Sequence, residues 1–366
     1  MKRVLLMMVC VALTALCACT QPDEPEPAAP PPSVPTAFQT VAPTPTPEPA
    51  PPTPSPSPGP GEVSLLSGVP LSEFTDDMNR NYTPVAVMIE NSAAARPQYG
   101  LQLANIVYEA PVESSITRFM AVFNDVLPQK VEPVRSARIY FIKMQQQFDC
   151  IFVHYGGPSD SGYDSYIYDS DSEHIKIRVD GIKGAWSDYF VRDKVRKAPH
   201  NVISDLTQIV QLYDYQPEPV PFRYNYDDGN TYNGQVISEI SLPFFGDDNY
   251  VSYRYDTATN LLTRYMADKP FISAETGEGL TLQNLIVQHM KLPSVNELAG
   301  RRIIDVLGSG DAEYVIDGVY VKGTWQRNSY DVATKYFDGD GEEIMLTPGN
   351  TWIALHPDTK TVSVTY

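Results

Sequence analysis

Cysteine is scarce in this chain of 366 residues: there are four, and Cys10, Cys17 and Cys19 all fall at the very start. Cys150 stands alone in the remainder, which excludes an internal disulfide there and leaves no Cys-x-x-Cys or Cys/His spacing for a structural zinc. His174, His289 and His356 are scattered without ligand spacing, so no metal and no cofactor are expected. Positive charge is also short, with 27 Lys+Arg against 45 Asp+Glu and a formal net charge of −18. That balance opposes non-specific binding to nucleic acid or to anionic lipid headgroups. A nucleic-acid partner is therefore excluded, and a membrane attachment could not rest on a basic patch. The apolar run at residues 4–16 is too short to span a bilayer.

That run nevertheless has a meaning. Lys2 and Arg3 precede it, and Leu16-Cys17-Ala18-Cys19 follows. A basic start, a short apolar stretch and small residues before a cysteine make an export signal. The quartet resembles the lipobox of bacterial lipoproteins, with Cys19 as the lipidation site because small Ala18 precedes it. Leu16 makes Cys17 the poorer choice, and the simpler alternative is an ordinary secretory signal cleaved nearby. Residues 1–19 are thus read as the signal, and the protein as lipid-anchored in the cell membrane on its extracellular, wall-facing side. Residues 20–61 carry 17 prolines in 42 positions with no apolar period, so they form no core. As extended polyproline II, at roughly 3.1 Å per residue, this tether would reach about 130 Å. The body from residue 62 onward keeps 25 basic against 41 acidic groups, or −16. Its length suits two domains.

Within the body, residues 83–90 and 116–123 read as buried strands, 101–108 as a helical turn running into a strand, and 149–155 as a strand entering a Gly-Gly-Pro turn. Residues 136–148 have helical spacing, capped by Ser136 or an earlier residue, and 201–213 read as a second helix. Strands alternating with helices predict an α+β or α/β domain over 62–216, with a mixed sheet and helices. Three prolines in 216–221 mark a boundary. Over 217–366, segments 250–255, 261–266, 313–321, 333–337 and 351–356 read as strands, and 281–291 as helix or strand. Turn signals such as Asp317-Gly318, Asp338-Gly339-Asp340-Gly341 and Pro348-Gly349-Asn350 separate them. This predicts a mainly antiparallel β domain.

Several consecutive segments carry a family resemblance. They include Pro84-Val85-Ala86-Val87-Met88-Ile89-Glu90-Asn91, Ala95-Arg96-Pro97-Gln98, Ala104-Asn105-Ile106-Val107-Tyr108-Glu109 and Ile116-Thr117-Arg118-Phe119. Pro133-Val134-Arg135-Ser136-Ala137-Arg138 and His154-Tyr155-Gly156-Gly157 complete the first half. Gly300-Arg301, Gly318, Gly323-Thr324-Trp325 and Pro348-Gly349-Asn350-Thr351-Trp352-Ile353 follow in the second. In order and spacing the chain resembles the YerB-like lipoproteins of Gram-positive bacteria over nearly the whole body. The resemblance implies two successive domains and the lipid anchor, and it carries over no catalytic set.

Two constellations could carry chemistry. Arg96, Arg118, Arg135 and Arg138 offer planar guanidinium forks for carboxylate or phosphate, and Arg135 and Arg138 would share a face if their turn is helical. They would hold an anionic envelope component, or else pair internally with Glu90, Glu109 and Glu113. The second is Cys150 with His154, Gly156 and Gly157, followed by Ser159 and Asp160. Residues i and i+4 on a strand lie about 13 Å apart, too far for a thiol–imidazole pair, so Cys150 is expected to be a core residue. His154 ends its strand beside a glycine turn, where a ligand-binding or a structural role is open. His200-Asn201 reads as a turn with Asn201 as a helix cap. Asp338-Gly339-Asp340-Gly341 lacks the ligand order of a calcium loop and reads as a hairpin turn. Tyr163, Tyr166, Tyr168 and Trp186 could stack on sugar rings, although packing is the commoner use of such side chains. The pattern of an L,D-transpeptidase cysteine is missing. The function expected is a non-enzymatic envelope factor whose partners are peptidoglycan, an anionic wall polymer or wall-synthesis proteins. The alternatives are a wall hydrolase using Glu90, Glu109 or Glu113 with His154, and a solute-binding lipoprotein.

Overall fold

Short apolar runs without polar alternation suit strands covered on both sides, and the segments that carry them form the middle of one large sheet. The computed structural model describes residues 62–157, 175–182, 184–219, 222–227, 232–245, 250–292 and 302–366. The signal, Cys19, the whole proline-rich stretch, Ser159, Asp160, Tyr163, Tyr166, Tyr168, His174, Gly300 and Arg301 lie outside the described residues. In chain order the strands of the first half are β1 (Val85–Glu90), β2 (Ile106–Pro111), β3 (Thr117–Phe123), β4 (Ile151–His154), β5 (Ile177–Asp180), β6 (Phe190–Arg192) and β7 (Val202–Ser204). Those of the second are β8 (Glu239–Pro243), β9 (Tyr250–Asp256), β10 (Leu261–Met266), β11 (Lys269–Pro270), β12 (Thr281–Leu282), β13 (Asn284–Met290), β14 (Gly308–Ile316), β15 (Val319–Arg327), β16 (Lys335–Asp338), β17 (Thr351–Pro357) and β18 (Ser363–Thr365).

Ten strands join in the order β16-β15-β14-β13-β17-β2-β3-β1-β4-β5. The sheet is mixed: β1–β4, β4–β5, β13–β17 and β17–β2 are parallel pairs, and the others are antiparallel. The β17–β2 pair, from Thr351↔Ile106 to Ala354↔Glu109, makes it continuous across the chain, with five strands from each half. A second sheet runs β11-β10-β9-β8-β18, with β12 also on β10, and β6–β7 form a separate ribbon. Residues Ser55–Tyr366 form one compact unit.

Alternation along each strand divides the core in two. On one face, Val85, Val87, Ile89, Phe119, Ala121 and Phe123 share a cluster with Ile240, Leu242, Tyr253, Leu262 and Leu282 of the second sheet. On the other, Ala86, Met88, Met120, Val122 and Phe152 pack beneath the helix α1 (Ile139–Gln145). Every residue of α1 except Lys143 is buried, as befits a helix that is apolar nearly all round. The β14–β15 turn is Asp317-Gly318, both with positive φ (51° and 73°), the geometry that keeps the twist of a two-residue hairpin. A Cβ at Gly318 would also run into the Tyr255 ring.

The expected α+β or α/β fold class is corrected here. The protein is mostly β, and its described α-helices are two short ones, α1 and α2 (Leu206–Ile209). The periodicity over 136–148 yields two turns of α-helix and one 3-10 turn, because residues 131–138 run extended beside β1 and β7 and Asp149 turns left-handed at φ 47°. Most of 201–213 is likewise not α-helix. Val202–Ser204 pairs with β6, and Asp205, not Asn201, caps α2 by accepting from the Thr207 N–H. Residues 281–291 resolve as strands β12 and β13.

Candidate functional site

The ends of β1 and β3 bring acid and base into register: Glu90 lies opposite Arg118. Their side chains point to the α1 face, where a buried charge needs a partner. Glu90 is 2 % exposed. Its Oε2 lies 3.2 Å from Arg135 Nε and 2.8 Å from His200 Nδ1, and its Oε1 accepts from Ser92 Oγ at 3.0 Å. Arg118 is 3 % exposed, donates to the Ser136 carbonyl at 2.7 Å and lies 3.5 Å from Glu113. Burial pulls its pKa down to about 10. Arg138 pairs with the same Glu113 and donates to the Ala137 carbonyl at 2.7 Å. Three guanidinium groups thus share two carboxylates. Arg135 and Arg138 do not sit on a helix turn; Arg138 has extended dihedrals and helix α1 begins after it.

His154, Gly156 and Gly157 lie beside this cluster. Tyr155 N–H donates to the Arg135 carbonyl and Ala137 N–H to the Gly156 carbonyl, both at 3.0 Å, while Ser136 Oγ donates to the Tyr155 carbonyl at 3.1 Å. His154 is fully buried, and its Nδ1 donates to the Gly156 carbonyl at 2.8 Å. Burial holds its pKa below the ordinary value despite Asp180 at 3.8 Å. Asp180 in turn accepts from the N–H groups of Gly156 (2.7 Å) and Ile182 (3.1 Å), shaping the turn in which Gly156 takes φ 74°. His154 therefore fixes the loop that backs Arg135.

Arg96 and Glu109 belong to the opposite face, between the two sheets. Glu109 is 1 % exposed. Its oxygens accept from Arg264 Nη2 at 2.9 and 3.0 Å, and Oε1 also accepts from Thr117 Oγ1 at 2.6 Å and Asn91 Nδ2 at 3.3 Å. Arg264 is fully buried, its guanidinium 4.1 Å from the Phe271 ring centre, 5.4 Å from Trp352 and 5.5 Å from Phe119. Arg96 donates to Asn91 Oδ1 (3.0 Å) and the Asn91 carbonyl (2.6 Å). Burial first, then neighbouring Arg264, lowers its pKa to about 10, against the pull of Glu109.

Residues 71–217 match the family described as "Protein of unknown function (DUF3048) N-terminal domain", and residues 240–353 match its C-terminal domain. The chain belongs to the DUF3048 family. It is 31 % identical over 289 residues to the "Putative lipoprotein YerB" of Bacillus subtilis (strain 168), covering 77 % of this chain and 83 % of that one. A crystal structure of the Bacillus subtilis YerB protein matches with a TM-score of 0.69 at 27 % identity, over 83 % of this chain and all of that one.

Both clusters fall within the matched DUF3048 segments, and Arg264 is contributed by the C-terminal one. Sequence reasoning missed Arg264 and His200 as partners. Arg264 had a signal, since it shares the inward face of β10 with Leu262, and a charge on an apolar face demands a counter-charge. His200 had none, because a loop brings it to Glu90. Asn201 ties its loop by bonding Arg192, Asp193 and Arg196. Cys150 is 2 % exposed with its thiol against Gln145, and burial pushes its pKa far up. It is a core residue at the floor of a cavity of about 570 Å³ that reaches Asp149, Lys176 and Tyr330. Among the described residues no helix is long and apolar enough to cross a membrane.

Proposed function

We propose that this DUF3048 protein is a lipid-anchored extracytoplasmic factor that works by binding, and that its folded body engages anionic cell-wall material from the rim formed by Arg135, Arg138 and His200. The anchor and tether rest on the Leu16-Cys17-Ala18-Cys19 quartet and the 17 prolines of residues 20–61, and the lipoprotein name of the Bacillus relative supports the anchor. One observation carries the binding reading: three guanidinium groups share two carboxylates at an accessible end of the sheet. There the side chains of Arg135, His200 and Arg138 keep 27 %, 24 % and 13 % exposure. On a body of net charge −16 such a spot selects anions by local geometry and not by overall field.

Most of the groups a hydrolase would use are badly placed, Glu113 being the exception, with a side chain 25 % exposed and paired with Arg118 and Arg138. Glu109 and His154 are enclosed, and Glu90 has both oxygens engaged. A polymer strand cannot reach an acid between two sheets. Wall-synthesis proteins remain a second partner class for the same rim.

The test is co-sedimentation of the protein with intact cell-wall sacculi. The protein is expected to pellet with them, and the Arg135→Ala, Arg138→Ala pair to reduce the pelleted fraction about tenfold, on the scale of one or two charge-assisted bonds. Arg138→Ala should cost about 1 kcal/mol of stability, because its partner Glu113 is partly exposed, and Arg135→Ala more, because it leaves buried Glu90 paired with His200 alone, so folding of the double variant is checked by circular dichroism first. Undiminished pelleting of a folded double variant would sink the rim.

A further inference from the structure

A crevice of about 180 Å³ opens where residues 93–96 and 115–117 of the first half meet Phe244, Phe245, Val251 and Met266 of the second. Its walls are partly apolar, from Ala93, Ile116, Phe244, Phe245, Val251 and Met266, with Ser115 and Thr117 adding hydroxyl groups and Arg96 standing among them as the one lining cation. The hydrogen bonds of Arg96 run to the neutral oxygens of Asn91. The nearby carboxylate, Glu109, is committed elsewhere: both of its oxygens hold Arg264, and Oε1 also takes Thr117 and Asn91. Arg264 and Arg96 sense each other as like charges. Among the described residues, Arg96, Arg264 and Glu109 therefore leave one positive charge in excess between the sheets, where charge is costly to leave uncompensated, and a third guanidinium, Arg302, lies 5.4 Å from the ring of the wall residue Phe245.

A partly apolar crevice with a single guanidinium edge is built for a small organic anion, with oxygens on the fork and a short alkyl arm against aromatic rings. The volume corresponds to about six waters, enough for a carboxylate bearing an arm of a few carbons. A phosphate would fill it poorly, since it offers no apolar surface to Phe244, Phe245 and Ile116.

We infer that this crevice binds a small carboxylate with a short apolar arm, such as the carboxyl terminus of a peptide ending in alanine. The inference rests on the envelope-binding reading only for the source of such a ligand; the site is separate from the Arg135 rim. Thr117, a wall of the crevice, also bonds Glu109, so an occupied crevice adjoins the pair that joins β2 to β10.

The probe is N-acetyl-alanine, titrated into the full chain in detergent with its methionine methyl groups isotopically labelled, so that Met266 reports on the crevice by NMR. A saturable Met266 shift is expected with N-acetyl-alanine and none with N-acetyl-alaninamide or inorganic phosphate. Arg96→Gln should weaken binding at least about tenfold, the loss of a charge-assisted bond pair. Ala93→Trp closes the mouth from an exposed position without touching the buried network, and should abolish the shift even if Arg96→Gln folds poorly. No saturable shift, equal binding of the amide, equal binding of phosphate, or full binding by Ala93→Trp would each overturn the inference. Acetyl-alanine binding without sacculus binding would leave this site standing and remove the wall reading; the reverse pattern would do the opposite.

Discussion

Replacing Glu109 by Gln keeps the shape of the side chain and removes its charge. Its amide oxygen could still accept from Thr117 and Asn91, which now lie at 2.6 and 3.3 Å. What is lost is the one counter-charge that Arg264 has among the described residues, which leaves a fully buried guanidinium facing an amide and, beyond it, the like charge of Arg96. Breaking a buried pair from one side costs about 3–5 kcal/mol, a large share of the roughly 5–15 kcal/mol that stabilises a typical domain. Removing both charges is a different perturbation. In Glu109→Gln with Arg264→Met, the flexible thioether can occupy the slot between Phe271, Trp352 and Phe119. The double variant should then come within about 1–2 kcal/mol of the parent, a coupling of roughly 2 kcal/mol or more. Urea unfolding followed by tryptophan fluorescence reads this directly, since Trp352 is 2 % exposed and lies beside Arg264. A cost for Glu109→Gln below about 1 kcal/mol, or a double variant no better than the sum of its singles, would refute the account of how the two sheets are held.

Two further outcomes follow from burial. His356 is fully buried; burial first and then His289, its register neighbour, pull its pKa from 6.5 down to about 4, opposed by Glu313. The unfolded chain protonates first as pH falls, so this group removes stability between pH of about 6.5 and about 4, by about 3 kcal/mol at most, and has no effect above that window. Urea midpoints across the window should fall in the parent and fall less in His356→Phe; equal slopes would contradict the assignment. Cys150 should resist a thiol reagent in the folded protein and react once urea unfolds it, and Cys150→Ser should retain binding, as peptide mass spectrometry and the sacculus assay would show. Rapid labelling of the native thiol, or lost binding in a folded variant, would return Cys150 to the list of functional groups.

Strands were legible where local pattern and burial agree. Residues 83–90 and 116–123 are apolar runs between turn signals, and they became β1 and β3; Asp317-Gly318 announced its hairpin. The fold class was not legible, because short apolar runs do not separate helix from strand. The stretch 201–213 has helical spacing, yet β6 pairs with Val202–Ser204 and leaves one turn of α-helix. The parallel union of β17 with β2 joins positions some 250 apart in the chain, about the longest range a local pattern can be asked to foretell. At the site, the arginines and glutamates were visible as types but not as pairs. Strand register placed Glu90 against Arg118, while the alternation of β2 sent Glu109 to the other face with Arg96. One presumed constellation thus became two.

Binding and hydrolysis are separated by a time course of sacculi with the protein, in which the supernatant is analysed by mass spectrometry while the pellet is assayed for bound protein. Binding without chemistry predicts protein in the pellet and no soluble glycan or peptide fragments at any time. Fragments that accumulate with time would contradict it and make the protein a hydrolase, with Glu113, whose side chain is 25 % exposed, as the first carboxylate to replace.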